Sequence, residues 1–383
     1  MLNLEKLMSL SEAATGFQGG SIVDELPGLS LTEATAGLPV AIMESQIELH
    51  ESVMAQNEAM VESIVESIQA GTAVEVESLT EGAFETIKNK IKTFFDKIKK
   101  WIKGIIAKLT VHIDKTRMTG KQMLAKYKGS KMLNHSFEDL TVNGYKFEKK
   151  EPFTGMDAYV SNPIALIQKA IPDLPPAEQF ANELAKQGEN ANVDAAKGKL
   201  EKIKDISSAD RKLAFAQTMT TGIDLSSGDS WQSEIKKELY GDKVDLKFGE
   251  DFTLASIEAD LAGGDLDGIR SSYNKLLNAV NKNEAEIQKA ADKFKKDNVS
   301  KDAGKDAPKA IGIANDYFTA YLSIYQDCTS VITGIQDIRV NFEKAKVNQA
   351  KAIYARMLTY KKKDDKNEDA ADITDIALLD FDM

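Results

Sequence analysis

The sequence contains very little cysteine and no long apolar run. Its single cysteine, Cys328, excludes an intramolecular disulfide and is typical of a protein made in a reducing cytoplasm. Because Cys328 lies in a helical pattern, we expect a small buried residue rather than a nucleophile. No apolar stretch approaches the length of a membrane span, and the first residues, MLNLEKLMSLSE, lack the pattern of a secretory signal.

Recognisable catalytic and ligand-binding motifs are also missing. The Gly-Lys pair in TGKQ, at Thr119, lacks the remainder of a phosphate loop, and no Gly-x-Ser-x-Gly motif occurs. His50, His112 and His135 lie in different segments without the spacing of metal ligands, so we expect ordinary polar positions. The DLDG stretch at Asp265 lacks the rest of a calcium loop. We therefore predict a non-enzymatic protein with no cofactor and no metal.

Basic residues are nearly absent from the first part of the chain. Residues 1–81 hold one base, Lys6, against thirteen glutamates and Asp24, which gives a net charge of −13. Residues 82–150 hold seventeen Lys or Arg against six acids, for +11, and residues 151–383 return to −9. Such segregation indicates that the first segment has a different task from the second.

Periodicity and turn signals predict a mainly α fold with five segments. These are an acidic leader with an amphipathic helix ending at Gly71, a basic amphipathic helix with a β-hairpin, a small helical or mixed domain, a long antiparallel helical hairpin and an acidic tail. They cover residues 1–81, 82–150, 151–262, 263–363 and 364–383. The Asn143-Gly144 pair is the predicted hairpin turn, VDLKF near Val244 is a further strand candidate, and Gly334 is a candidate interruption of the last helix.

The most strongly patterned segment is the basic helix. Its apolar positions step by three and four: Phe84, Ile87, Ile91, Phe94, Ile98, Trp101 and Ile105. Lysines occupy its remaining faces, and the candidate contacts to nucleic acid or an acidic partner are Lys88, Lys92, Lys97, Lys99, Lys100 and Lys103. Two other interpretations remain open. The helix packs on its own protein with a solvated lysine face, or it binds a membrane surface, which the following polar chain without a lipidation signal disfavours.

One short phrase, Ser-Leu-Ser/Thr-Glu followed by a small residue, occurs three times, at Ser9, Ser30 and Ser78. As a helix capping box it fits Ser78 well, whereas the first two copies meet a glycine within four residues of the glutamate. Leu or Ile stands two residues before six of the thirteen glutamates in residues 1–81, and before none of the sixteen later ones. Composition does not produce this difference, because Leu and Ile are almost as frequent in the later part.

Leu/Ile-x-Glu followed by a small residue resembles the cleavage signal of the T-even-type phage prohead protease. In that family, internal head proteins enter the prohead through an N-terminal leader that is then removed. The resemblance implies cuts after Glu12, Glu33 and Glu81, the last before Gly82. It implies a structural protein of the capsid interior, made in the host cytoplasm, whose partners are prohead core proteins, the protease and packaged DNA.

Two other function classes compete with this hypothesis. The first is a cytoplasmic helical scaffold or interaction protein, in which the repeated phrases are helix caps or docking peptides. The second is a membrane-active protein that acts through residues 83–109. Long amphipathic helices with a coiled-coil-like stripe are compatible with an oligomer in each case.

Overall fold

Three long helices account for most of the residues that the structure describes. The computed structural model describes residues 73–128, 137, 140–147, 152, 153, 155–180, 198, 200, 201, 205–220, 222–226, 230–299 and 307–358. All of them belong to one compact unit, Ser52–Ile373. The expected mainly helical fold with a small antiparallel sheet is confirmed. The acidic helix before Gly71 and the tail over 364–383 lie outside the described residues.

Eight helices and two strands are defined within the described ranges. In chain order they are α1 (Ala73–Lys128), β1 (Thr141–Tyr145), α2 (Met156–Ser161), α3 (Pro163–Ala170), α4 (Ser208–Met219), α5 (Trp231–Tyr240), β2 (Lys243–Lys247), α6 (Leu254–Leu261), α7 (Leu266–Val299) and α8 (Ala307–Leu358). The short helices expected between about 162 and 261 are present. Each of α3 to α6 begins after a polar side chain that accepts a hydrogen bond from the first turn, namely Asn162, Ser207, Ser230 and Thr253.

The helical hairpin predicted over 265–362 is confirmed by α7 and α8. The Tyr273 hydroxyl donates to Asp337 Oδ1 at 2.7 Å, and further along α7 the Asn283 amide donates to the Tyr325 hydroxyl at 3.0 Å. The residue numbers rise along α7 as they fall along α8, so the two helices are antiparallel. Tyr273, Asn283 and Tyr325 are buried between the helices, where an unpaired hydroxyl or amide would be costly.

α1 is the third helix of this bundle. Lys88 Nζ lies 2.9 Å from Asp292 Oδ1, and Lys99 Nζ lies 2.9 Å from Glu284 Oε2, which sets α1 antiparallel to α7. The apolar positions predicted from periodicity form its inner face. Phe84, Ile87, Ile91, Phe94 and Ile98 are buried, and Trp101 and Ile105 are partly buried against the same core.

α1 runs parallel to α8. Near its start the Lys90 ammonium donates to Thr319 Oγ1 at 2.6 Å, and near its end the Met123 carbonyl accepts from the Tyr354 hydroxyl. The partners on α8 follow those on α1 in the same order along the chain. The bundle therefore joins the basic helix of the second expected segment to the helical hairpin of the fourth.

The hairpin predicted at Asn143-Gly144 is wrong, although the strand near Val244 is confirmed. β1 runs straight through Asn143 and Gly144 and pairs antiparallel with β2, with Gly144 opposite Val244. The Gln349 amide of α8 bonds both the N–H and the carbonyl of Tyr145, at 2.7 and 3.0 Å. A Cβ on Gly144 would lie 2.7 Å from Gln349 Oε1. Glycine is thus required for close packing of β1 on α8, not for a turn.

α8 continues without interruption through Gly334, contrary to the expected break. A Cβ at Gly334 would lie 2.9 Å from Cη2 of Trp231, so this glycine makes room for the indole at the start of α5. Nearby, α4 is held on α8 by a buried ion pair in which Arg211 Nε donates to Asp327 Oδ2 at 2.7 Å. The Ser208 hydroxyl satisfies the second oxygen of Asp327. Such pairing is needed because a buried carboxylate without partners is strongly destabilising.

Two glycines of α1 give a matched test of the packing. A Cβ at Gly120 would lie 2.1 Å from the carbonyl oxygen of Leu261, whereas a Cβ at the exposed Gly104 would meet nothing within 4 Å. We expect G104A to raise the free energy of unfolding by about 0.5–1 kcal/mol through helix propensity. G120A should lower it by about 1–3 kcal/mol because α6 must move away. Urea unfolding of both variants measures the difference, and equal effects would contradict the described contact between α1 and α6.

Candidate functional site: the basic helix and its processing site

Of the three predicted processing sites, the structure describes the last. Glu12 and Glu33 lie outside the described residues. Glu81 and Gly82 lie near the N-terminus of α1, and the peptide bond between them is helical. A protease that binds its substrate in extended form would have to unwind this end of the helix first.

The interpretation of Ser78-Leu79-Thr80-Glu81 as a capping box is wrong. α1 begins at Ala73, so Ser78 lies inside the helix and not at its first turn. The stretch from Ala73 to Glu81 holds no glycine or proline, and nothing in it stops the helix from extending toward the N-terminus. The third copy of the repeated phrase therefore does not serve as a helix start.

The bond after Glu81 lies directly before buried residues of α1. Gly82 is exposed, and a Cβ placed on it would meet nothing within 4 Å. The next two residues, Ala83 and Phe84, are 0% and 1% exposed. A cut before Gly82 would leave both of them, and the core residues that follow them, in the product.

Two of the six candidate lysines are engaged within the bundle. Lys88 pairs with Asp292, and this hydrogen bond raises the pKa of Lys88 above its ordinary value. Lys99 lies between Asp96 and Glu284, at 2.6 and 2.9 Å. Both lysines therefore contribute to the contact between α1 and α7.

Two further lysines of α1 are buried or half-buried. Lys90, which lies off the apolar stripe in the helical pattern, is 3% exposed and donates to Thr319 of α8. Lys97 is half-buried, and burial lowers its pKa. Long lysine stems pack along apolar surface in this way while their ammonium groups find a polar contact.

Lys92, Lys100 and Lys103 remain exposed on the outer face of α1. Of the six lysines predicted to contact nucleic acid or an acidic partner, these three are the exposed ones. Helical spacing places every acidic side chain of α1 between residues 82 and 125 on the same face, and all are exposed: Glu85, Asp96 and Asp114. The outer face thus carries mixed charge.

A second basic surface, which sequence reasoning missed, lies where α1 meets α8. Lys108, His112 and Lys115 follow one another at helical spacing on α1, and Lys344 and Lys351 of α8 act on the His112 ring. We call these five residues the basic seam. Burial and the charges of Lys344, Lys351 and Lys115 lower the pKa of His112 to about 4. The four-three spacing on α1 was readable in the sequence, but the contribution of α8 was not.

Cys328 is buried as expected, and burial raises the pKa of its thiol well above the usual value. Within the described ranges, His, Cys, Asp and Glu side chains do not gather in threes in an arrangement that would hold a metal ion. Among the helices over these same residues, none combines the length and apolar character needed to cross a membrane. No family model, curated protein or solved structure matches the chain.

The seam predicts a pH-dependent loss of stability through His112. Its folded-state pKa of about 4 lies below the ordinary 6.5, so the unfolded state binds the proton more tightly. The free energy of unfolding should therefore fall as the pH drops from 6.5 toward about 4. Replacement of His112 by Gln should remove about 1–2 kcal/mol of this loss, a figure reduced for solvent screening.

Urea unfolding at several pH values measures this effect. The control is K103Q, which changes an exposed residue on the same helix. Its free energy of unfolding should depend on pH as that of the unchanged chain does. An H112Q variant that loses as much stability as the unchanged chain would show that His112 is not the responding group.

Proposed function

We propose that this chain is a non-enzymatic structural protein of a tailed-phage head, made as a precursor whose leader is cut off by a prohead protease after Glu81. The observation that carries the proposal is the position of the last copy of the repeated signal. The Leu-x-Glu signal ends at Glu81 and does not recur later in the chain, and Ala83 and Phe84, directly after the proposed cut, are buried. A removable leader requires a product that keeps its core residues, and these two residues stay in the product.

The charge of the two parts supports the same assignment. Removal of residues 1–81 takes away a net charge of −13 from a chain of −11, and −11 minus −13 leaves +2. The acidic leader lowers the affinity of the precursor for nucleic acid, and its removal takes this opposing charge away. This change suits a protein that is assembled before DNA enters the head and remains beside the DNA afterwards.

The helical state of the Glu81–Gly82 bond sets a condition on the cut. Glycine inside a helix costs about 1 kcal/mol relative to alanine, so Gly82 weakens α1 at the bond itself. The carbonyls from Ala73 to Gly82 accept hydrogen bonds from the N–H groups four residues later, so unwinding α1 as far as Gly82 breaks these bonds. The Thr86 hydroxyl, which donates to the Gly82 carbonyl at 2.9 Å, would lose its acceptor as well. The cut therefore requires local opening of the first turns of α1, next to the buried Ala83.

The alternative, a cytoplasmic helical scaffold whose repeated phrases are helix caps, loses support at one position. Ser78 lies within α1 and does not start a helix. A docking-peptide role for the same phrase would need it extended and accessible, which again requires the start of α1 to unwind.

The proposal is tested by co-expression of the full chain with a T-even-type prohead protease, followed by N-terminal sequencing and intact mass measurement. We expect a product that begins at Gly82, and no such product from the E81Q variant. In mature particles, peptide mapping should find the same terminus and little of residues 1–81. Intact peptides that span Glu81 at full abundance in both experiments would overturn the proposal.

Gly82 itself gives a kinetic test. G82A keeps a small residue after Glu81 but strengthens the helix by about 1 kcal/mol, which lowers the unwound fraction about five-fold. The rate of cleavage should fall by the same factor. G104A strengthens the same helix at an exposed position away from the bond and should cleave at the unchanged rate. Equal rates for all three proteins would show that unwinding at Gly82 does not limit the cut.

A further inference from the structure

The basic seam brings positive side chains from two helices to one place. Because α1 and α8 are parallel neighbours, the middle of α1 lies beside the segment of α8 that holds Lys344 and Lys351. On α1, Lys108 and Lys115 are exposed one turn before and after His112, which is half-buried. The seam is thus a surface that solvent reaches, not a closed interior site.

The carboxylates near the seam have other directions or partners. Those of α1 between residues 82 and 125 all lie on the outer face, as described above. On α8, Asp337 accepts from the Tyr273 hydroxyl of α7, although its charge also acts on Lys344. Glu343 accepts from Lys346 and from the backbone N–H of Asp265. Both acidic side chains of this part of α8 therefore have hydrogen-bond partners outside the seam.

Lys351 is 9% exposed, and His112 and Lys344 are half-buried. Positive groups this close repel one another and lose hydration, and both effects disfavour their charged forms. The directions of the pKa shifts agree with this account. Burial lowers the pKa of Lys344 and of Lys351, and burial together with the neighbouring lysines lowers the pKa of His112. An anion bound across the seam would reverse both penalties.

We propose that the basic seam binds a ligand with closely spaced phosphates, of which the backbone of packaged nucleic acid is the source that the proposed function supplies. The inference rests on that function for the identity of its ligand, but not for the phosphate chemistry. Lysine ammonium groups act as point charges that accept phosphates in many geometries, and a protonated imidazole donates from both nitrogens. The seam's five side chains are all cationic or can become so, which suits contact with the backbone without base readout.

The outer face of α1, with Lys92, Lys100 and Lys103, is the competing surface. Its lysines alternate with three exposed carboxylates, which would repel phosphates, whereas no acidic residue of α1 between 82 and 125 lies on the seam face. The two surfaces offer matched triple variants in the same fold. The seam variant is K108Q/K115Q/K344Q, and the outer variant is K92Q/K100Q/K103Q.

The first experiment measures binding of the full chain to a duplex of about 20 base pairs over a range of salt concentrations, because each phosphate contact adds about 0.9 to the salt slope. The salt slope is the steepness with which the logarithm of the binding constant falls as the logarithm of the salt concentration rises. We expect the seam variant to lower it by about two to three and the outer variant by less than one. Equal losses in both variants, or binding by the seam variant equal to that of the unchanged chain, would overturn the proposal. Thermal unfolding checks the fold, and K108Q/K115Q, which changes exposed side chains alone, serves where the triple variant is unstable.

The second experiment reads His112 directly by NMR of histidine-labelled full chain, with H112Q to assign its signal. A bound polyanion stabilises the imidazolium, so the pKa of His112 should rise from about 4 toward its ordinary 6.5. By linkage, the affinity should then increase as the pH falls from about 7 to about 5. No shift of His112 with either duplex or tripolyphosphate would overturn the proposal.

The two probes separate the sources of phosphate. A shift with both supports a nucleic-acid backbone, and a shift with tripolyphosphate alone supports a site for free polyphosphate and removes the nucleic acid. The outcome is independent of the cut after Glu81. If the product begins at Gly82 and the seam binds neither probe, the seam inference alone is lost.

Discussion

The burial of the apolar stripe of α1 between α7 and α8 is the contact on which the rest of the described structure depends. Each of its fully buried phenylalanine and isoleucine side chains contributes about 1.5–3 kcal/mol relative to exposure. The flanking ion pairs of Lys88 and Lys99 are partly exposed, and such pairs typically contribute about 0–1 kcal/mol each. Hydrophobic burial therefore holds α1 in place, and the ion pairs fix which acidic residues of α7 lie opposite it.

Once the stripe is buried, it decides what each lysine of α1 can do. A helix with lysines on all its remaining faces looks uniformly basic in sequence, but the bundle divides them into three groups. Lys88 and Lys99 meet acids of α7, Lys90 is enclosed against α8, and the remainder point outward or into the basic seam. The outer face of α1, which is rich in lysine in the sequence, consequently carries mixed charge in the folded protein.

Secondary structure and buried faces could be predicted from the sequence where the residues that determine them lie within one helix. Three-four periodicity predicted α7, α8 and the inner face of α1, because an amphipathic stripe is written within the helix that buries it. The turn expected at Gly144 failed because the deciding partners, β2 and Gln349, come from distant parts of the chain. His112 looked like an ordinary polar residue for the same reason, since Lys344 reaches it only through the packing of α8 on α1.

The same stripe also connects the processing site to the basic seam. Extension of α1 back to Ala73 keeps the Glu81–Gly82 bond helical, and the glycine at the bond weakens the helix there. Under the proposed processing, loss of residues 1–81 would leave the buried Ala83 and Phe84, and the core residues after them, in the product. α1 and α8 would then still hold the seam together. The proposed cut would change the charge of the protein without removing any residue of the seam.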